Sequence, residues 1–474
     1  MKTHFSVLFL IFLSVIITSA QTASIDVIIQ REMKERKIPG LQVAVVQKGK
    51  IVLFKSYGIA NLQYNVPVTD QSIFQINSCT KAFTGVAIMQ LAEDGIIDIE
   101  APVSRYLDSL PEPWQPIKLR QLLTHVSGLP DIARVLDAAP YGLSEEIAWT
   151  RTKAMPMVFP TGTQFSYNQT NYALLGKIID KYRKKPFALV FKEQQFQPAE
   201  MLHTGFGDQR DVIPNMTQSY KYVSTVDGQK LNEEKLINFN HEFPPFRRTA
   251  SGMNSTANDI ARWLIALQQG KLLKTQAALK TLWTPGTYNN GTPTQWTLGW
   301  MAKPRPKHSA VIATGGGRSA FFVYPDDDLA VVVLTNLSGA SPEEFIDELA
   351  GCYNPAIPAS DPITALHIRL RQEGFDKAVD IIKERRNQGG SPPIETDLND
   401  WGYRMLSKGQ LKQALAVFNL NVYLYPNSWN VYDSYGEALW KNGQNDEAIR
   451  MYKKSLELNP QNEYGKKALE MLLK

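Results

Sequence analysis

Ser78 and Lys81 are the only pair in this 474-residue chain in which lysine follows serine by three positions. On a helix, that spacing puts both side chains on one face. An amine then stands beside a hydroxyl at a helix start, where unpaired backbone N–H groups and the helix dipole favour a developing oxyanion. Serine is a weak nucleophile without such help. A lysine at its ordinary pKa of ~10.4 keeps its proton at neutral pH, so a base at Lys81 requires a desolvated site or a second cation nearby. The same spacing also suits an N-cap serine followed by a solvated first-turn lysine, and nothing local separates the two.

Other chemistries find no foothold. The chain has no Gly-x-Ser-x-Gly elbow, which removes the α/β-hydrolase reading. Its six histidines, at positions 4, 125, 203, 241, 308 and 367, lack metal-ligand spacing, and His241-Glu242 has no second histidine at 245. Gly315-Gly316-Gly317 is followed by a strand pattern rather than a helix, so it is no dinucleotide fingerprint. Neither metal nor cofactor is expected. His125 reads as a structural histidine that bonds the backbone.

The elements that would position Ser78 and Lys81 follow from periodicity. Leu41 to Val46 and Ile51 to Phe54 flank Lys48-Gly49-Lys50 and predict a hairpin. Ala320 to Tyr324 and Leu329 to Leu334 bracket Pro325-Asp326-Asp327-Asp328 and predict another. Between them, Lys81 to Glu93, Leu119 to His125, Asn171 to Tyr182 and Asn258 to Leu267 carry apolar residues at helical spacing. The expected fold is α+β: an antiparallel sheet drawn from both chain ends, flanked by helices, with a helical insertion. Ser341-Pro342-Glu343-Glu344 predicts a capping box at a further helix start. Beyond residue 361 a 34-residue shift brings Gly402, Gly409, Ala414, Phe418, Leu424 and Pro426 onto Gly436, Gly443, Ala448, Tyr452, Leu458 and Pro460. That period and those residue types predict an all-α tetratricopeptide-like module over 361–474, with a degenerate repeat around Glu373 to Val379 and a capping helix from Tyr464 to Leu473.

Lys2 and His4 precede an apolar run, Phe5 to Ile17, that ends in Thr18-Ser19-Ala20. This predicts a cleaved signal over residues 1–20, the run being shorter than the ~20 residues of a membrane span. An exported protein and no integral membrane anchor are expected. With a formal charge of +5 and no Lys/Arg block, the chain predicts neither nucleic acid nor a membrane surface as partner. Two cysteines, Cys79 and Cys352, do not predict a disulfide framework.

Several strings, in order, resemble the class C β-lactamases, DD-peptidases and related esterases across residues 24–350. The most specific is Lys118-Leu119-Arg120-Gln121-Leu122-Leu123-Thr124-His125-Val126-Ser127-Gly128-Leu129-Pro130. Phe165-Ser166-Tyr167-Asn168-Gln169, Ser251 to Asp259 and Leu329 to Asn336 also match. The resemblance implies a penicillin-binding-protein/β-lactamase-like domain over 21–358, periplasmic or extracellular in a bacterium. It further implies Ser78 as nucleophile, Lys81 as acylation base or its partner, and Tyr167 as the hydroxyl serving the leaving group. Two departures stand out. Gln169 replaces the family's asparagine, and its longer amide implies a different acyl group. The third motif, a lysine or histidine followed by x-Gly, falls on Ala313-Thr314-Gly315, with His308 and Arg318 as possible sources of the missing charge. Thr314, Gly315 and Gly316 are then expected at the substrate, Gly316 giving the second oxyanion donor with Ser78. The function implied is a hydrolase of a small ester, amide or peptide, esterase or D-amino-acid peptidase rather than β-lactamase. The rival is an inactive hydrolase fold serving, with its repeats, as a scaffold for peptides or cell-wall fragments, and a protein partner through the repeats suits either.

Overall fold

The computed structural model describes residues 24–137, 142–226, 228–239 and 242–473, so the expected signal segment lies outside the described residues. Both predicted hairpins form within one seven-stranded antiparallel sheet. Its strands are β1 (Gly40–Gln47), β2 (Lys50–Asn61), β3 (Val66–Pro67), β4 (Met301–Lys303), β5 (Ala310–Gly315), β6 (Ser319–Tyr324) and β7 (Leu329–Thr335), in the order β3-β2-β1-β7-β6-β5-β4. The first hairpin turns at Lys48 and Gly49, whose φ values of 50° and 71° are the left-handed pair that matches strand twist in a two-residue turn. β1 pairs with β7, Val43 opposite Val333, and so joins the two chain ends as expected. β7 is buried throughout, consistent with its unbroken apolar run and a sheet covered on both faces.

Helix α1 (Thr80–Glu93) is buried on nearly every side, as a helix apolar all round must be. Phe83 stacks on Trp263 of α3 (Ala257–Gln268), their ring centroids 3.8 Å apart. Helix α2 (Gln169–Arg183) packs against α1. The Ser341 capping box does not form. Ser341 takes a φ of 50° and its side chain caps nothing, because its amide donates to the Gly317 carbonyl at 2.8 Å. That left-handed backbone is incompatible with the extended N-cap conformation, so Pro342–Glu344 is a 3-10 turn and the α-helix begins at Ile346.

The chain divides into two compact units, the first ending at Asn354 and the second running Pro355–Lys474. In the second, Glu395–Ser407 pairs with Leu411–Leu424 and Trp429–Lys441 with Asn445–Leu458. A Cβ on Gly402 would lie 2.7 Å from the Phe418 ring, so the repeated glycine is where one helix meets the aromatic of the next.

Candidate active site

Ser78 lies in a 3-10 turn, Asn77–Cys79, that runs directly into α1. It is partly exposed and its side chain caps neither the turn nor the helix, so the N-cap alternative fails. Lys81, three residues on, is 0% exposed. Its Nζ lies 2.8 Å from the Ala250 carbonyl oxygen, 3.0 Å from Gln169 Oε1 and 3.4 Å from Ser78 Oγ. It also sits 4.6 Å from the centre of the Tyr167 ring. Burial pushes the amine well below its ordinary pKa and the Arg247 guanidinium pushes further, against Asp131 and Cys79. A neutral amine has two protons and one lone pair. With the two closer contacts made to carbonyl oxygens, the lone pair is left for the Ser78 hydroxyl, the geometry of a general base.

Tyr167 and Gln169 are held by the long string that precedes them. Asn168 caps α2 by accepting from the Asn171 amide at 3.2 Å, and its Nδ2 donates to Leu129 O at 2.6 Å. His125 Nδ1 accepts from the Asn168 amide at 3.1 Å, and its carbonyl accepts from Ser166 at 3.0 Å. Thr170 Oγ1 donates to Pro130 O at 2.6 Å, and Asp131 Oδ1 accepts from the Gln169 amide at 3.1 Å. Residues 125–131 therefore act as a clamp on the start of α2, and His125, buried and with its pKa pushed well down chiefly by desolvation, bonds the backbone as expected. Tyr167 as a residue is 36% exposed. Its hydroxyl end is desolvated, which raises the phenol's pKa although Ser78 and Gln169 pull it down; at neutral pH it holds its proton.

The segment before α3 closes the floor. Thr84 Oγ1 donates to Thr249 O at 2.7 Å, and the Ile76 amide to Met253 O at 3.0 Å. Opposite, β5 ends against Ser78: a Cβ on Gly315 would lie 2.0 Å from Ile76 O, and one on Gly316 2.4 Å from Asn77 Nδ2. Gly316 has a φ of 59°, where glycine is the residue without steric cost.

The structure brings together Ser78, Lys81, Tyr167, Gln169 and the Gly315-Gly316 turn, with Thr314 partly exposed beside them. It does not bring in the two suggested sources of charge. His308 Nδ1 is 2.8 Å from Asp327 Oδ1 in the turn between β6 and β7, at the far end of β5 from Gly315. Arg318 is 0% exposed, its Nη1 donating to Gln75 Oε1 and Ser219 Oγ, each at 2.9 Å; burial lowers its pKa to about 10. Ala313 is 4% exposed within the main apolar cluster. Arg318 Nε and Nη2 are buried without an acceptor, but none of the guanidinium reaches solvent, so this wall exposes no cation. Sequence reasoning missed Arg247, on the 3-10 turn Pro245–Arg247 that packs against α2. The one available signal was the requirement for a second cation near Lys81. Among the described residues no group of three or more His, Cys, Asp or Glu could hold a metal, and no helix is long and apolar enough to cross a membrane.

The β-lactamase family model matches residues 25–351, and the tetratricopeptide repeat model residues 429–462. The chain is 25% identical over 342 residues to protein flp of Staphylococcus aureus (strain MW2), covering 70% of this chain and 66% of that one, just under two thirds of the relative's length. It is 26% identical over 307 residues to penicillin-binding protein 4* of Bacillus subtilis (strain 168), covering 62% and 67%. The D-amino acid amidase of Ochrobactrum anthropi SV3, solved with L-phenylalanine amide, superposes with a TM-score of 0.59 at 22% identity, over 71% of this chain and 99% of that one. The chain belongs to the β-lactamase family, whose members are serine hydrolases, and carries a tetratricopeptide repeat in its C-terminal unit.

Proposed function

We propose that this protein is an exported serine hydrolase that processes a small ester, amide or peptide through an acyl-enzyme on Ser78. The carrying observation is the buried Lys81 amine, whose two carbonyl contacts leave its lone pair for Ser78 Oγ. In the first step the amine takes the Ser78 proton and Oγ bonds to the substrate carbonyl carbon. The resulting oxyanion is received by the Ser78 and Gly316 amides. Tyr167, protonated at rest, passes its proton to the leaving group as the bond to it breaks, and is reprotonated from Lys81. Water then attacks the ester carbonyl; the Tyr167 oxygen takes its proton while the Tyr167 hydroxyl proton passes to neutral Lys81, and that proton goes on to Ser78 Oγ as its bond to the acyl carbon breaks. Gln169 gives its Oε1 to Lys81, which leaves its Nε2 to donate to a substrate carbonyl.

Since the β5 wall exposes no cation, a carboxylate beside the scissile bond gains no charge-assisted hydrogen bond there, an interaction of about 1.5–3 kcal/mol. Neutral short-chain esters are therefore preferred to penicillins and cephalosporins. The test is kcat/KM for a para-nitrophenyl ester and a chromogenic cephalosporin on one preparation, with Ser78→Ala alongside. Faster β-lactam turnover contradicts the substrate assignment; ester turnover by Ser78→Ala within about tenfold of wild type contradicts the mechanism. The repeat unit bears a groove of about 490 Å³ lined by Glu437, Trp440, Tyr452, Tyr464 and Met471, which supports a peptide or protein partner there.

A further inference from the structure

Arg247 and Arg248 are neighbours with opposite circumstances. Arg248 is fully engaged: Nε donates to Phe243 O at 2.8 Å, and Nη2 lies 3.0 Å from Asp211 and 3.3 Å from Asp208. Arg247 makes no side-chain hydrogen bond and no ion pair among the described residues, and its Nε is shut off from solvent without an acceptor. The Nε so placed loses hydration with no hydrogen bond in return, and the guanidinium is favoured only at a distance by the Asp131 and Asp137 carboxylates. Its backbone is tied to the catalytic floor. The Arg247 carbonyl accepts from the Ala250 amide at 2.9 Å, and the Ala250 carbonyl accepts from Lys81 at 2.8 Å. The guanidinium lies within electrostatic reach of Lys81, Tyr167, Asp131 and Asp137. Asp131 is not its ion-pair partner, being committed to the Gln169 and Ala133 amides at 3.1 and 3.0 Å.

The pocket is thus electrically lopsided. The β5 wall, with Ala313 in the core, Arg318 wholly buried and His308 at the far end of β5, exposes no cation, whereas the turn that carries Arg247 packs against α2, which Gln169 opens. We propose that Arg247 is a specificity-determining residue that anchors an anionic group, a carboxylate, carried on the acyl part of the substrate. The acyl assignment follows from the proposed function, in which Gln169 Nε2 donates to a substrate carbonyl, and from the packing of the Arg247 turn against α2, which Gln169 opens. The preferred substrate is then a half-ester or half-amide of a dicarboxylic acid, or a peptide whose acyl residue bears a side-chain carboxylate, with a neutral leaving group. This inference rests on the Ser78 acyl-enzyme.

The test uses the full chain and three probes: the para-nitrophenyl half-ester of glutaric acid, the uncharged para-nitrophenyl pentanoate of equal length, and the acetate ester of para-hydroxybenzoic acid, whose charge is on the leaving group. Wild type should favour the glutarate half-ester over pentanoate. Arg247→Gln should lower the glutarate-to-pentanoate ratio of kcat/KM about ten- to a hundredfold, mainly through KM, and Arg247→Lys should recover part of it. Pentanoate turnover in the same preparations reports folding and any change at Lys81, and division by it removes both. Equal losses on both acyl probes, or a selective loss on the hydroxybenzoate ester, overturn the proposal. Undiminished turnover of all three probes by Ser78→Ala would instead overturn the acyl-enzyme itself.

Discussion

Gly315→Ala would set a methyl carbon 2.0 Å from the Ile76 carbonyl oxygen and 3.2 Å from the Cys79 amide nitrogen. Real Cβ contacts essentially never fall under 3.0 Å, so β5 and the Asn77–Cys79 turn must part by about 1 Å. Both atoms struck belong to the backbone, and no side chain can swing aside to absorb the strain. Overpacking of this kind destabilises by about 1–3 kcal/mol. The parting also moves the Gly316 amide away from Ser78, and a misplacement of about 1 Å at a reacting group lowers the rate about a hundredfold. The expected result is a kcat on a short-chain neutral ester about a hundredfold below wild type, with a thermal midpoint lower by several degrees. A kcat within about threefold of wild type and an unchanged midpoint would refute the close apposition of Gly315 and the Asn77–Cys79 turn.

Lys81→Ala and Tyr167→Phe should each lower kcat/KM at least about a hundredfold on the same ester, the usual scale for a positioned acid or base. Activity requires neutral Lys81, so it should fall as pH drops through the depressed Lys81 pKa. The charged or titratable groups around that amine are Arg247, Asp131, Cys79, His125 and Tyr167. Removing the cation by Arg247→Gln lets Lys81 hold its proton to higher pH, and the acid limb of kcat/KM should shift upward; a limb that moves down or stays put contradicts the electrostatic account. A chain ending at Asn354, where the first unit closes, should hydrolyse the ester at the wild-type rate. A soluble but inactive product would show that the repeats complete the site or hold its shape.

Local signals carried far in this chain because the residues of the proposed catalytic group are local. Ser78 and Lys81 are three apart, and Tyr167 and Gln169 are two apart beside a helix cap. The string from Lys118 to Pro130 was legible as a match but not as a device; only the fold shows that residues 125–131 clamp the start of α2. Charge placement was the least legible feature. His308 and Arg318 flank Gly315 in sequence, but His308 is carried to the other end of β5 and Arg318 is drawn under Gln75 and Ser219. Arg247 lies in a Pro-Pro-Phe-Arg-Arg run with no periodicity, and tertiary packing alone decides which of the two arginines meets the site. The Ser341 cap failed for a related reason: a single long-range bond to Gly317 outweighed a sound local signal.

A covalent acyl-enzyme on Ser78 is open to direct observation by mass spectrometry of protein acid-quenched during ester turnover. Wild-type protein should gain the mass of one acyl group, mapped to the peptide containing Ser78, and Ser78→Ala should gain none. Turnover without acylation, or with the acyl group on a different residue, would contradict it.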